Sequence, residues 1–156
     1  MNSAYRGESS RAGWTTEADY LGGQRTDPAK LARDLAETPG ARIHVLREAG
    51  EMIACFWLEP LGDGKGAYVA MLTVRPDLQA RGLGRRLLEA AEAEAARAGK
   101  TRMQLSVVQV RDTLIAWYQR RGYVLTGERR PFPYGDAQFG EPMRDDLEFV
   151  VLEKRL

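Results

Sequence analysis

Residues 71–88 of the 156-residue chain read MLTVRPDLQARGLGRRLL. Apolar and polar residues alternate up to Pro76, which predicts a β-strand that stops at the proline. Two glycines, Gly82 and Gly84, predict a tight turn whose backbone can approach a ligand closely. Apolar side chains then return at helical spacing, so the stretch as a whole predicts a strand, a glycine turn and a helix.

Three arginines, Arg81, Arg85 and Arg86, stand at the start of this predicted helix. That end is unfavourable for cations, because unpaired amides already give a helix N-terminus partial positive charge. The amides, the helix dipole and the arginines together favour a polyanion, and a pyrophosphate is the natural candidate. The alternative is a plain strand–turn–helix with solvated arginines, since short motifs have low specificity.

The composition is typical of a globular domain that is close to electrically neutral. Hydrophobic residues make up 44% and charged residues 29%, and the length suits one domain over residues 1–156. The formal net charge of +1 argues against a nucleic-acid partner. No apolar run approaches the roughly 20 residues that span a bilayer and no signal peptide is visible, so we expect a cytoplasmic protein with no membrane partner. One cysteine, Cys55, and one histidine, His44, exclude an internal disulfide and a His-rich metal site, and we expect no metal.

The periodicity of the whole chain indicates a mixed sheet with helices on its faces, an α/β (α+β) fold. The predicted helices cover residues 26–37, 82–98 and 114–121, and the predicted strands cover residues 41–48, 52–59, 67–74, 102–108, 123–126 and 147–153. The strand at 102–108 is expected to run parallel to the strand before it, because a helix of suitable length connects the two. Residues 129–143 are expected to form a loop, and residues 1–23 a loop with a partial helix.

The glycine turn resembles the signature of a known family. Residues 79–84, Gln-Ala-Arg-Gly-Leu-Gly, match the Q/R-x-x-G-x-G/A motif of the GCN5-related N-acetyltransferases, the GNAT superfamily. In that family the turn binds the pyrophosphate of acetyl-coenzyme A, largely through backbone groups. The resemblance implies a mostly antiparallel twisted sheet and acetyl-CoA as co-substrate. The residues that it places at the cofactor are Leu72, Thr73, Val74, Gln79, Ala80, Arg81, Gly82, Leu83, Gly84, Arg85, Arg86 and Arg111.

A second signature lies in residues 114–123, Leu-Ile-Ala-Trp-Tyr-Gln-Arg-Arg-Gly-Tyr. It resembles the family's short helix with the pattern A-x-x-x-Y-x-x-x-G-F/Y, whose tyrosine points its hydroxyl at the sulfur of coenzyme A. The resemblance gives Tyr118 the role of general acid, and a phenol of pKa about 10 holds its proton at neutral pH. The alternative is a core tyrosine in an amphipathic helix. The family's Asn before this helix is missing, and Arg111, which stands there, is expected to reach a phosphate instead.

The general base is the least defined part of the site. Many relatives carry a Glu four residues before the Leu72 position, where this chain has Tyr68. Tyr68 is therefore expected to act as a catalytic proton relay through water. Weaker alternatives are His44, Glu51 and Glu59, and substrate-assisted deprotonation also stays open. The resemblance further implies that the backbone amide of Leu72 or its neighbour stabilises negative charge on the acyl oxygen.

The acceptor site is expected on loops. The predicted acceptor-binding residues are Trp14, Tyr20, Phe132 and Tyr134, with Glu17 and Pro133 beside them. Their aromatic character suggests a small, partly apolar acceptor, although Phe132 and Tyr134 would equally cover the edge of the sheet. The first strand of the family is missing before residue 23, so we expect it to be absent, atypical or outside this sequence.

The leading interpretation is an N-acetyltransferase. It would transfer an acetyl group from acetyl-CoA to the primary amine of a small molecule or peptide, by direct attack in a ternary complex, with a homodimer left open as the assembly. A catalytically silent acyl-CoA-binding or sensor domain is the second interpretation; the missing Glu favours it and Tyr118 argues against it. A dinucleotide-binding domain is excluded, because Leu87 stands where the third glycine of that motif belongs.

Overall fold

A computed structural model describes residues 1–136 and 139–156 of the chain. Its helices are α1 (Asn2–Tyr5), α2 (Gly7–Ser10), α3 (Pro28–Glu37), α4 (Leu83–Arg97) and α5 (Asp112–Gln119). Its strands are β1 (Leu21–Gly22), β2 (Arg42–Glu48), β3 (Glu51–Pro60), β4 (Gly66–Val74), β5 (Arg102–Val108), β6 (Val124–Pro131), β7 (Glu141–Pro142) and β8 (Glu148–Arg155). A 3₁₀ turn, Pro76–Leu78, follows β4.

Six strands form one sheet in the order β2-β3-β4-β5-β8-β6, and β1 pairs with β7 in a separate ribbon. Strands β4 and β5 run parallel and are connected by α4, whereas the other neighbours are antiparallel. The predicted fold class and the predicted parallel pair are thereby confirmed. The first strand is atypical as expected, since β1 is two residues long and lies outside the main sheet.

Helices α4 and α5 cover one face of the sheet. The apolar residues of α4 recur every three or four positions, so Leu88 and Ala91 are 1% and 0% exposed in the main core. On β3 successive side chains point to opposite faces, so Phe56 belongs to this core whereas Cys55 faces a groove that Leu31 of α3 also lines. Helices therefore lie on both faces, as predicted.

Many element boundaries differ from the sequence predictions by one or two residues, and the end of β6 differs by more. Strand β6 continues to Pro131, because Arg129 and Arg130 pair with β8, and β7 lies inside the segment that was expected to be a loop. Helix α5 begins at Asp112 and follows Arg111 as its N-cap residue, which makes no side-chain capping bond. Within the described residues, no helix has both the length and the apolar character needed to cross a membrane.

Candidate active site

Strands β4 and β5 part shortly after they begin. They pair only over residues 66–68 and 102–104, and beyond this point a cavity of about 410 Å³ opens between them, called the larger cavity below. Strand β4 also carries a β-bulge against β3, where Met71 has a φ of 51°. A non-glycine residue rarely adopts that conformation, and bulges bend the strand that carries them. The strained backbone at Met71 and Leu72 thus marks the wall of an opening in the sheet.

Helix α5 places Tyr118 at the junction of two cavities. Its side chain lines the larger cavity and also a smaller cavity of about 80 Å³. The ring is 7% exposed and contacts Trp117 and Tyr123 edge-on, at centroid distances of 4.9 and 5.7 Å. Burial raises the pKa of the Tyr118 phenol, an effect that nearby Tyr5 reinforces and Arg111 partly offsets. Tyr118 therefore holds its proton at neutral pH, in a position that touches both cavities.

The glycine turn borders the smaller cavity. Gly82 caps α4 with a φ of 77°, and Ala80 before it has a φ of 64°, so the chain reverses sharply into the helix. The amides of the first helical turn have no partner within the helix. A β-carbon on Gly84, which also lines the smaller cavity, would lie 3.6 Å from the Trp117 ring. The turn therefore leaves room for a ligand next to free backbone donors.

The arginines of the turn lie on the surface beside these donors. Arg81, Arg85 and Arg86 are all exposed, and Arg85 pairs with Glu89 at 3.3 Å. Exposed ion pairs of this kind contribute little, so the side chains can turn toward an anion. Free amides, a helix N-terminus and exposed cations are together suited to a pyrophosphate, and the pyrophosphate site stays a prediction.

The segment before α3 forms the outer wall of the smaller cavity. The amide of Trp14 donates to Gln79 Oε1 at 3.0 Å, while Gln79 Nε2 donates to the Val74 carbonyl at 3.2 Å. The Trp14 ring lies 6.3 Å from that of Trp117. Trp14 therefore lies beside the predicted cofactor residues and does not line the larger cavity.

A buried ion-pair cluster anchors this segment. Glu17 pairs with Arg6 at 3.1 Å and with Arg111 at 2.9 Å, and all three side chains are less than 10% exposed. Arg111 also donates to Thr15 Oγ1 at 2.7 Å. Burial lowers the pKa of Arg6. Burial also acts to lower the pKa of Arg111, but the Glu17 carboxylate and nearby phenols outweigh it, so this pKa is raised. The Arg111 guanidinium is thus already bound within the protein, which does not support the predicted phosphate contact.

Two tyrosines besides Tyr118 line the larger cavity. Tyr68 shares a hydrogen bond with Ser106 across the point where β4 and β5 part. Tyr5 donates to the Leu72 carbonyl at 3.0 Å, and burial raises the pKa of its phenol although Arg25 lowers it in part. Tyr68 was predicted, but Tyr5 was missed because the first 23 residues have no periodicity that would indicate a site. Arg25, which also lines this cavity, was missed because it lies in the short loop between β1 and α3, where no motif indicates a site.

The remaining base candidates lie elsewhere. His44 stacks on Phe56 at 4.6 Å, and Glu59 accepts from Trp57 Nε1 at 2.6 Å. Glu51 is exposed at the start of β3. None of these three lines the larger cavity, so Tyr68 is the one member of the set that does. No group of three or more His, Cys, Asp or Glu side chains in the described ranges is placed to hold a metal ion.

Three predicted acceptor residues need correction. Tyr20 and Phe132 are 8% and 4% exposed in a second core cluster with Leu147, and the Tyr20 hydroxyl donates to the Thr16 carbonyl. Tyr134 is exposed, and its hydroxyl accepts from the Leu147 amide at 2.6 Å. None of the three lines either cavity, because these aromatic rings are used to close the end of the sheet. Glu17 and Pro133, also named from the sequence, do line the larger cavity.

Comparison with known proteins agrees with this geometry. A model of the acetyltransferase (GNAT) family matches residues 8–123, well over half of the chain. An amino-acid acetyltransferase of Pseudomonas putida is 32% identical over 102 residues, which are 65% of this chain and 22% of that protein. An IAA acetyltransferase of Azospirillum brasilense is 34% identical over 98 residues, 62% of each chain. The chain thus spans less than two thirds of the length of these curated relatives.

Solved structures show the same fold. The crystal structure of a GNAT family acetyltransferase from Elizabethkingia anophelis with acetyl-CoA bound superposes with a TM-score of 0.69. The match covers 88% of this chain and 89% of that one at 20% sequence identity. At 20% sequence identity, the similarity shows a shared fold and nothing more specific.

Proposed function

The chain belongs to the acetyltransferase (GNAT) family, and from this premise we propose that it transfers an acetyl group from acetyl-CoA to the primary amine of a small molecule or peptide. The observation that carries the proposal is the position of Tyr118, whose side chain lines both cavities. A proton donor at that junction can reach a cofactor in the smaller cavity while an acceptor occupies the larger one. This arrangement supports direct transfer in a ternary complex.

The residues of the smaller cavity and the turn fit acetyl-CoA. The backbone amides of Leu83, Gly84 and Arg85 and the arginines of the turn would hold the pyrophosphate. The backbone of residues 72–74, of which all three line the smaller cavity, would hold the pantetheine arm. When bound, acetyl-CoA supplies an activated thioester. A structural relative is described with acetyl-CoA bound, which supports this assignment.

Each group of the chain then has a defined task. Tyr118 keeps a proton at Oη and gives it to the sulfur as the carbon–sulfur bond breaks. The backbone amide at Leu72 offers a donor for the charge on the acyl oxygen, and the hydrogen bond from Tyr5 to the Leu72 carbonyl holds the neighbouring peptide plane, on the carbonyl side of that residue. The amine forms the new carbon–nitrogen bond, and its proton passes through water and the hydroxyl pair of Tyr68 and Ser106, which acts as a relay, to the solvent.

A silent acyl-CoA-binding domain is the second candidate. The observation in its favour is that Glu17, the one carboxylate on the described wall of the larger cavity, is bound by two arginines. An enzyme of this design must therefore remove the amine proton through hydroxyls and water, and a binding domain need not remove it at all.

One assay separates the two candidates. We expect the protein, mixed with acetyl-CoA and a panel of amino acids, simple amines and peptides, to release free thiol in step with acetylated product. Thiol is followed by a colorimetric reagent and the product by mass spectrometry. A folded protein that binds coenzyme A and releases no thiol with any amine would overturn the enzymatic proposal in favour of the binding domain.

The cofactor assignment is tested by Gly84→Leu. The added side chain enters the smaller cavity against Trp117, so we expect acetyl-CoA to bind roughly 10- to 100-fold more weakly by calorimetry, in line with the strain of overpacking. Gly62→Leu is the matched control, because no atom lies within 4 Å of a β-carbon at that loop position. Equal affinity of both variants and the wild type would place the cofactor outside the smaller cavity.

A further inference from the structure

The larger cavity carries uncompensated positive charge on its N-terminal wall. Arg6, Arg25 and Arg111 gather near Glu17, and their charges influence Tyr5 or one another. Glu17 pairs with Arg6 and Arg111, whereas Arg25 forms no ion pair with any residue of the described ranges. Three guanidiniums against one carboxylate leave an excess of positive charge beside a partly desolvated space, where charge interactions are strong.

Arg25 is the cation of this group that is left for a ligand. Its Nε is buried and has no hydrogen-bond partner within residues 1–136 and 139–156, and its side chain lines the larger cavity. The guanidinium carbon lies 5.2 Å from the centroid of the Tyr5 ring, so the phenol supports the flat face of the group. The Nε atoms of Arg6 and Arg111 also lack a partner, but the terminal nitrogens of both arginines bind Glu17. Arg25 has no ion pair among the described residues, so its charge is the one available to an acceptor at the cavity wall.

Arg25 lies close to the place where acetyl transfer is expected. Tyr5 contacts Arg25 through its ring and the Leu72 carbonyl through its hydroxyl, at 3.0 Å. A single tyrosine ring therefore separates the free cation from the bulge of β4, where the amine would attack. A small molecule that carries both an amine and an anionic group can bridge that separation.

Another part of the lining is apolar. Pro131 and Pro133 line it together with Phe139 and Phe149, and Phe149 stacks on the buried Phe132 at a centroid distance of 5.6 Å. These rigid groups offer a surface for an aliphatic or aromatic side chain. Arg130 at the rim pairs with Glu128 at 2.7 Å in an exposed position, where water already solvates its charge, so it has less need of a ligand than Arg25, whose Nε is buried.

We propose that the acceptor is an amino acid with a free carboxylate and an apolar or aromatic side chain, and that Arg25 binds the carboxylate. The proposal rests on the proposed function for the position of the amine. A guanidinium is the side chain best suited to a carboxylate, because its donors match both oxygens. A simple amine or the N-terminus of a peptide lacks a carboxylate next to the amine and would leave Arg25 without a partner.

The first test compares two acceptors that differ only in the carboxylate. We expect kcat/KM for L-phenylalanine to exceed that for L-phenylalaninamide by at least about tenfold. In Arg25→Gln we expect KM for phenylalanine to rise roughly 10- to 100-fold and the preference for the acid over the amide to disappear, while Arg25→Lys keeps part of it. Arg33→Gln, an exposed arginine of α3, is the matched control and should keep the full preference. Equal use of both acceptors by the wild type would overturn the proposal and leave acetyl transfer standing.

The second test measures binding without catalysis. We expect phenylacetate to bind at least about tenfold more tightly than phenylacetamide by calorimetry, and Arg25→Gln to remove the difference. Circular dichroism and thermal unfolding establish that the variant is folded. If no amine releases thiol, the proposed function fails, and this measurement alone still decides whether Arg25 forms a carboxylate site. Equal binding of the two probes to the wild type would overturn that site.

Discussion

Tyr118→Phe is expected to lower kcat for acetyl transfer by about 10²- to 10⁴-fold, the loss typical of a missing general acid. The phenylalanine ring keeps the edge contacts with Trp117 and Tyr123, and only the hydroxyl oxygen is removed. That oxygen has no hydrogen-bond partner among the described residues, so the substitution leaves no orphaned group in the protein. We therefore expect the Kd for acetyl-CoA to stay within about twofold of the wild-type value, measured by calorimetry alongside steady-state kinetics.

Tyr123→Phe is the matched control for this substitution. Tyr123 is 1% exposed and donates to Glu92 Oε1 at 3.0 Å, but it lines neither cavity. Loss of the Tyr123 hydroxyl should lower the free energy of unfolding by about 1–2 kcal/mol, because a half-buried carboxylate loses one donor and keeps its ion pair with Lys154, with kcat nearly unchanged. If the two variants instead lose activity equally, or if Tyr118→Phe abolishes cofactor binding, Tyr118 is a structural residue.

The pH dependence of turnover gives an independent readout of the same group. The protonated phenol is the active form of Tyr118, and burial raises its pKa above the ordinary value of about 10. Activity should therefore rise with pH as the acceptor amine loses its proton, and it should not fall near pH 10 through loss of the Tyr118 proton. A steep alkaline decline near that pH, in protein that is still folded, would mean that the general acid is a group with an unperturbed pKa.

The elements that were predicted most closely are those with local signals. Strand β5 was predicted without error, and α4 within one residue at each end, because apolar spacing and the glycine turn define both. Strand β6 was predicted too short, since its residues are largely exposed and carry no alternating pattern of burial. Its length follows from pairing with β8, which no local sequence pattern encodes.

The cofactor side of the site was more predictable than the acceptor side for the same reason. Gly84 and Tyr118 stand in short motifs whose spacing is visible in one helix or turn. Tyr5 and Arg25 reach the larger cavity through contacts between distant parts of the chain, such as the hydrogen bond from Tyr5 to Leu72, 67 positions away. Tyr20 and Phe132 illustrate the opposite error: aromatic residues in loops suggested a binding site, but burial in the core is the commoner use of such rings.

Glu17→Gln is expected to lower the free energy of unfolding by about 3–5 kcal/mol. Glutamine keeps the size of the side chain but removes the single negative charge between Arg6 and Arg111. Two guanidiniums then face each other in a space where all side chains are less than 10% exposed. A loss of this size is a large fraction of the free energy of unfolding of a domain, which is usually about 5–15 kcal/mol. Chemical denaturation followed by circular dichroism measures it.

The same substitution should loosen the wall shared by both cavities. The Glu17 amide bonds to the Tyr5 carbonyl and the Glu17 carbonyl accepts from Leu21, so the residue joins the parts of the N-terminal segment. We expect faster hydrogen exchange at amides of this segment in the variant, with little change in α4 and β5. Weaker acetyl-CoA binding should follow, because Trp14 and Thr15 line the smaller cavity.

Two comparisons test the charge-based explanation. Glu8→Gln breaks an ion pair with Arg11 in which the carboxylate is 91% exposed, and it should cost less than about 1 kcal/mol. Arg111→Gln leaves the balanced pair of Arg6 and Glu17, so its cost should lie below that of Glu17→Gln although it also loses the bond to Thr15. If Arg111→Gln proves more destabilising than Glu17→Gln, packing of the long arginine side chain rather than the balance of buried charge holds the N-terminal segment on the sheet.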